Sequence, residues 1–234
     1  MHLPREFSNR FGLSVKRLVC LPIALLCLLG GARGQDAFPG IVCDEDSDCF
    51  YQPAAADTLS APALLVLSCT GAVPHDLDSV RGVADSFGLV LASCHRSRNH
   101  RSSWENDRDI LATYAKLAGR YRVDPKRIFI CGFSGMGAQS IQEVAAHPAL
   151  FRGALSACSP QVGLAGPDLG PLTDNLFFLI SREKDWNLKG NEHMFAELQD
   201  MGVVSTLQVL PGEHAPGPIE ELYQAVDWLL THTQ

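Results

Sequence analysis

From residue 63 onward the chain alternates short β-rich apolar runs with longer helical stretches. Ala63-Leu64-Leu65-Val66-Leu67 is a continuous apolar run of the kind carried by a strand buried on both faces. Residues 76–87 read as a helix and 88–92 as the next strand. Residues 106–122 carry a helical stripe of Ile110, Leu111, Tyr114, Leu117 and Ala118. Asp124-Pro125 marks a turn before a strand at 127–131. A helix at 135–146 must end at His147-Pro148, because the residue before proline leaves the helical region. Strands at 153–157, 176–180 and 204–210 and helices at 191–201 and 218–231 complete the pattern. Parallel neighbours need crossover connections, so the expected class is α/β, a mostly parallel sheet with helices on both faces. Residues 35–62 precede the alternation and should supply short edge strands; residues 63–234 form the main domain.

Charge is unevenly spread. Lys and Arg number 19 and Asp and Glu 26, a net −7, but the first 34 residues hold five of the basic residues and one acidic, leaving −11 for the rest. Lys16-Arg17 precede an apolar stretch over 18–29, followed by small residues at Ala32 and Gly34, the pattern of a secretory signal peptide. The apolar stretch is shorter than the roughly 20 residues of a spanning helix. Cleavage is expected before Gln35, and with it export, secreted or periplasmic, without stable membrane association afterwards. An acidic domain lacking a basic stripe also argues against nucleic acid as a partner. In an oxidising compartment Cys43 and Cys49, bracketing the acidic run 44–48, should form a local disulfide. Cys69, Cys94, Cys131 and Cys158 end apolar runs and read as small buried hydrophobes, with cross-strand pairing left open.

In open parallel sheets the active site lies beyond the C-terminal strand ends. Ser134 stands there, between the strand ending at Cys131 and the helix opening at Gly135, with glycines at 132, 135 and 137. A sharp strand-to-helix turn needs glycines and leaves the Gly135 N–H free to stabilise an oxyanion. A serine hydroxyl needs a base oriented by a carboxylate. His214 follows the strand at 204–210, and Asp185 follows the strand at 176–180. The loop after the first strand, Ser68-Cys69-Thr70-Gly71-Ala72, should give the second oxyanion donor, from the N–H of Ala72 or, second, of Thr70.

The stretch 121–135, reading YRVDPKRIFICGFSG, resembles the α/β-hydrolase superfamily, as do 179–185 and 210–214. It is most similar to secreted, lid-poor carboxylesterases of the dienelactone-hydrolase-like, feruloyl-esterase-like and polyhydroxybutyrate-depolymerase-like branch. The resemblance covers roughly residues 60–232. It implies an α/β-hydrolase fold with no large lid and a serine hydrolase cleaving carboxylic esters through a Ser134-His214-Asp185 triad and an acyl-enzyme. Substrates would be small or polymer-borne esters, and no cofactor or metal is implied. Two positions depart from the family pattern: Met136 replaces the last glycine of glycine-x-serine-x-glycine, and Thr70-Gly71 stand where histidine-glycine is usual. A catalytically silent binding protein, or a peptidase or amidase with the same triad, is the alternative. The acidic run fails the EF-hand template and reads as a solvated loop. Cys94, His95 and His100 lack metal-ligand spacing, whereas Arg96, Arg98 and Arg101 beside them suit an acidic part of a substrate.

Overall fold

The computed structural model describes residues 38–56, 60–164 and 171–233. The expected leader, 1–34, lies outside the described residues. The elements run β1 (Ile41–Cys43), β2 (Cys49–Tyr51), β3 (Ala61–Val66), α1 (Pro74–Phe87), β4 (Val90–Ser93), α2 (Ser103–Arg120), β5 (Val123–Phe133), α3 (Gly135–Ala146), β6 (Gly153–Ala157), β7 (Leu176–Arg182), α4 (Leu188–Asp200), β8 (Val204–Leu210) and α5 (Ile219–Thr231). The strands form one open sheet in the order β1-β2-β4-β3-β5-β6-β7-β8. Pairing is antiparallel at β1–β2 and β2–β4 and parallel from β4 onward. Residues 41–51 supply β1, at the edge of the sheet, and β2 between it and β4.

Strand residues alternate between two apolar layers, as a period of two requires. Leu65, Ile128, Ile130, Phe177 and Leu179 face α2, α3 and α4, which contribute Ile110, Leu117, Ile141, Val144, Met194 and Leu198. Leu64, Phe129, Phe178 and Ile180 face α1 and α5, which contribute Leu77, Val83, Ala84, Ala225, Val226 and Leu229. Helices therefore cover both faces, and the inner strands β3, β4, β6 and β7 are buried on each side as their unbroken apolar runs imply, whereas the edge strands β1 and β8 are partly exposed.

Several boundaries differ from expectation for local reasons. The Asp124-Pro125 turn is an irregularity inside β5 rather than a break before it. Ala61 pairs with Val123 and Ala63 with Ile128, because Pro62 and Pro125 have no N–H for the ladder. The Asp124 carboxylate accepts the Lys126 N–H at 3.0 Å and Arg127 Nε–H at 2.7 Å, which closes the bulge. Helix α2 begins at Ser103, earlier than its apolar stripe, because Ser102 caps it. Ser102 Oγ accepts the Glu105 N–H at 3.3 Å while Glu105 accepts the Ser102 N–H at 3.1 Å.

Cys43 and Cys49 are disulfide-bonded, and the other four cysteines from Cys69 onward are free thiols. The acidic run between the bonded pair is not a solvated loop. Lys116 Nζ from α2 reaches Asp44, Asp46 and Asp48 at 2.9, 2.8 and 2.8 Å. Burial works against the Lys116 charge, but hydrogen bonds to the three carboxylates hold the ammonium above its ordinary range. The β6–β7 connection, where a lid would be inserted, runs from 158 to 175; its residues 165–170 lie outside the described ones. No helix among the described residues is long and apolar enough to cross a membrane.

Candidate active site

At the C-terminal end of β5 the backbone turns sharply into α3, and Ser134 occupies the turn with φ 53° and ψ −125°. That left-handed φ is strained for a residue with a side chain, and it holds Oγ above the sheet. Neighbouring glycines permit the turn. A β-carbon on Gly132 would run into the Met136 carbonyl, and one on Gly135 into the Asn99 side-chain amide. The close approach between α3 and β6 falls on Gly137, where a β-carbon would lie 2.8 Å from Ser156 Oγ. Met136 is instead buried, its Sδ accepting the Ser97 hydroxyl at 3.5 Å. The departure from the family pattern is thereby explained: the glycine needed for helix-to-sheet packing stands one residue later, and α3 still opens at Gly135. The Gly135 N–H donates to no acceptor among the described residues.

His214 and Asp185 reach this serine from the ends of β8 and β7. His214 Nε2 lies 3.0 Å from Ser134 Oγ, and Nδ1 lies 3.0 Å from Asp185 Oδ1. An ionised carboxylate only accepts, so Nδ1 carries the proton and Nε2 is free to accept from the serine hydroxyl. Burial works to raise the Asp185 carboxyl. The Asn187 N–H at 2.8 Å, then Cys158 and His214, outweigh it and hold the group below the usual carboxylate range. The two loops are clamped together: Glu183 N–H donates to Leu210 O at 2.9 Å and Lys184 N–H to Gly212 O at 3.0 Å. Arg182, at the end of β7, makes a bidentate pair with Glu221 of α5, both contacts at 2.7 Å.

Aromatic rings enclose the imidazole. Trp186 stacks on His214 with ring centroids 3.9 Å apart, although the indole is itself 75% exposed, and Phe133 packs at 4.9 Å. The strand pattern gave no sign of either contact. Nor did it foresee Cys158, whose Sγ lies within 4.8 Å of an Asp185 oxygen and a His214 ring nitrogen. Burial, then the Asp185 carboxylate, pushes the Cys158 thiol up to about 12. Burial in β5 pushes the Cys131 thiol up to about 12 as well. Both are poor nucleophiles at neutral pH.

Ala72, the expected second oxyanion donor, lies in the loop after β3. It is fully buried, its carbonyl lies 3.0 Å from His95 Nδ1, and it does not line the cleft onto which Ser134 opens. Thr70 is the exposed residue of that loop. The cleft, about 480 Å³, is walled by polar side chains of the 98–106 segment, α3 and Trp186. A separate apolar cavity of about 250 Å³ lies beside Phe133, between α1 and Pro216-Gly217-Pro218. Between α2 and α3, Asp107, Glu143 and His147 converge, with His147 Nε2 2.5 Å from Asp107 Oδ1. Burial pushes the Glu143 carboxyl up to about 8; the Gln139 amide opposes this and the Asp107 charge adds to it.

No protein-family model matches the chain. No curated protein matches it by sequence. Its structure is similar to that of a Bacillus cereus carboxylesterase (TM-score 0.64, 17% identity, covering 79% of this chain and 93% of the other). A ferulic acid esterase matches with TM-score 0.63 and 14% identity over 82% of this chain and 96% of the other. A Pyrococcus horikoshii acylaminoacyl peptidase matches with TM-score 0.58 and 15% identity over 79% of this chain but only 38% of the other. The chain has the α/β-hydrolase fold.

Proposed function

We propose that this chain is a serine hydrolase of carboxylic esters, with Ser134 as nucleophile, His214 as general base and then acid, and Asp185 orienting the histidine. The observation that carries the reading is the unbroken line Ser134 Oγ, His214 Nε2, His214 Nδ1, Asp185 Oδ1, both of its hydrogen bonds 3.0 Å, with the serine in a strained strand-to-helix turn. Ser134 attacks the ester carbonyl as Nε2 takes its proton. Asp185 stabilises the resulting imidazolium, which then protonates the departing alcohol. The Gly135 N–H is one oxyanion donor; the loop 68–72 supplies the second, from Ala72 or from Thr70. Water activated by His214 cleaves the acyl-enzyme and frees Ser134. The esters are small or polymer-borne. The Cys43–Cys49 disulfide supports an oxidising, exported setting for the enzyme.

Purified protein should label with a fluorophosphonate and hydrolyse p-nitrophenyl acetate. Ser134→Ala should lose labelling and lower turnover by about 10⁶-fold while its circular dichroism and melting curve persist. A folded Ser134→Ala protein that keeps wild-type turnover would sink the assignment. A wild-type protein inert to the probe would favour a silent binding protein on the same fold.

A further inference from the structure

The loop after β4, residues 95–101, is rich in cations, and all but one of its arginines are engaged. Arg96 pairs with Asp46 at 2.6 Å, and Arg101 pairs with Asp109 at 2.7 Å and donates to the Arg96 carbonyl. Arg98 differs. Its exposed guanidinium has no hydrogen bond, ion pair or aromatic contact among the described residues. It nevertheless stands on fixed backbone. Buried Asn106 accepts the Arg98 N–H at 3.1 Å and donates to the Arg98 carbonyl at 3.1 Å, while the next N–H, that of Asn99, donates to Cys69 O at 3.0 Å. Asn99 then packs its amide against Gly135, the residue after Ser134. The unpaired cation is thus one residue from the wall of the strained turn, and Arg98 and Ser134 line the same cleft.

The charge around it is selective. Residues 35–234 carry a net −11, yet the residues lining this cleft include Arg98, His100 and Arg101 and neither Asp nor Glu. An arginine left without a carboxylate, in a cleft cleared of carboxylates, on an acidic protein, matches an anion brought by the ligand. Resting on the ester-hydrolase reading above, we propose that the substrate carries an anionic group, a carboxylate or a phosphate, on its acyl or alcohol part, and that Arg98 is the residue that selects for it. The guanidinium forms a charge-assisted contact with that group while the ester carbonyl lies over Ser134. Its fork of donors suits either anion.

Two matched pairs test this. One is 4-acetoxybenzoate against its methyl ester, with the anion on the leaving group. The other is mono-p-nitrophenyl succinate against its methyl ester, with the anion on the acyl group. For at least one pair the wild type should favour the anionic member in kcat/KM by about tenfold, mainly through KM, and 0.5 M salt should erode the preference. Arg98→Ala should abolish it and Arg98→Glu reverse it, with the neutral esters turned over as before. The proposal is overturned if neither pair shows a preference, or if the preference survives both substitutions. A binding arm separates this outcome from failure of the hydrolase reading. In Ser134→Ala protein, calorimetry with the same anionic esters needs no chemistry. Binding weakened about tenfold by adding Arg98→Ala supports the anion site even where the wild type proves inert to fluorophosphonate. Equal binding with and without Arg98 overturns it.

Discussion

Around Ser134 the exchange of side chains between positions 136 and 137 shows how a pattern can fail while its geometry survives. The family spacing asks for a glycine two residues after the serine; the fold asks for one wherever α3 comes closest to β6. Here that is Gly137, whose missing side chain admits Ser156 Oγ and the Gly132 carbonyl. Gly137→Ala should therefore destabilise the protein by about 1–3 kcal/mol and slow fluorophosphonate labelling, read by urea unfolding and by labelling rate. Unchanged values in both would show that Gly137 has room to spare. The convergence of Ser134, Asp185 and His214 was legible because each lies within a few residues of a strand's C-terminal end, so their shared edge comes from connectivity alone. Trp186 over His214, Asn99 against Gly135 and Cys158 beside Asp185 were not, since those contacts depend on how separate loops fold back. Loop residues such as Ala72 lie between these cases: the segment was identifiable, the direction of its N–H groups was not.

Helix α3 links the candidate site to the α2–α3 interface. Its first turn presents Gly135, and its last turn buries Glu143 beside Asp107 and His147. An acid whose folded pKa is about 8, against 4.5 ordinarily, keeps a proton that the unfolded chain releases. The folded state then binds more protons than the unfolded state through that window. Stability contributed here is present below about pH 4.5 and declines as pH rises toward about 8. Glu143→Gln, which keeps the shape and removes the titration, should flatten that decline in melting temperatures taken across the window. A wild-type and a variant profile of the same slope would show that Glu143 titrates as an ordinary surface acid. Element order was readable throughout from apolar periodicity. Boundaries were read less well where side-chain caps decide them: the stripe in α2 starts late, whereas the Ser102–Glu105 pair starts the helix early. The acidic run was misread because its partner, Lys116, comes from a helix far along the chain.

At the scale of the whole molecule, two apolar layers sandwich one sheet; β5 and β7, which lead to Ser134 and Asp185, are buried on both faces, whereas β8, which leads to His214, is a partly exposed edge strand. This explains why the fold was readable: continuous apolar runs and intervening helices leave few alternatives to a doubly covered parallel sheet. Charge carries a different message at this scale. The cationic surplus lies in residues 1–34, ahead of an acidic remainder that bears a disulfide. Expressed in a host with a secretory pathway, the full chain should be recovered outside the cytoplasm with Gln35 as its first residue, read by N-terminal sequencing. Recovery inside the cell with residues 1–34 intact would refute export.

Trp186 lies flat against the imidazole of His214, yet three quarters of it meets solvent. An indole excited beside a ring that gains and loses a proton changes its emission, because the imidazolium accepts an electron from the excited state more readily than the neutral ring does. Trp228 has a comparable stack with His232, and Trp104 lies beside Arg108 without a histidine ring. With Trp228 replaced by phenylalanine, the protein's own light would register the proton that Nε2 takes from Ser134 during turnover, with no added dye.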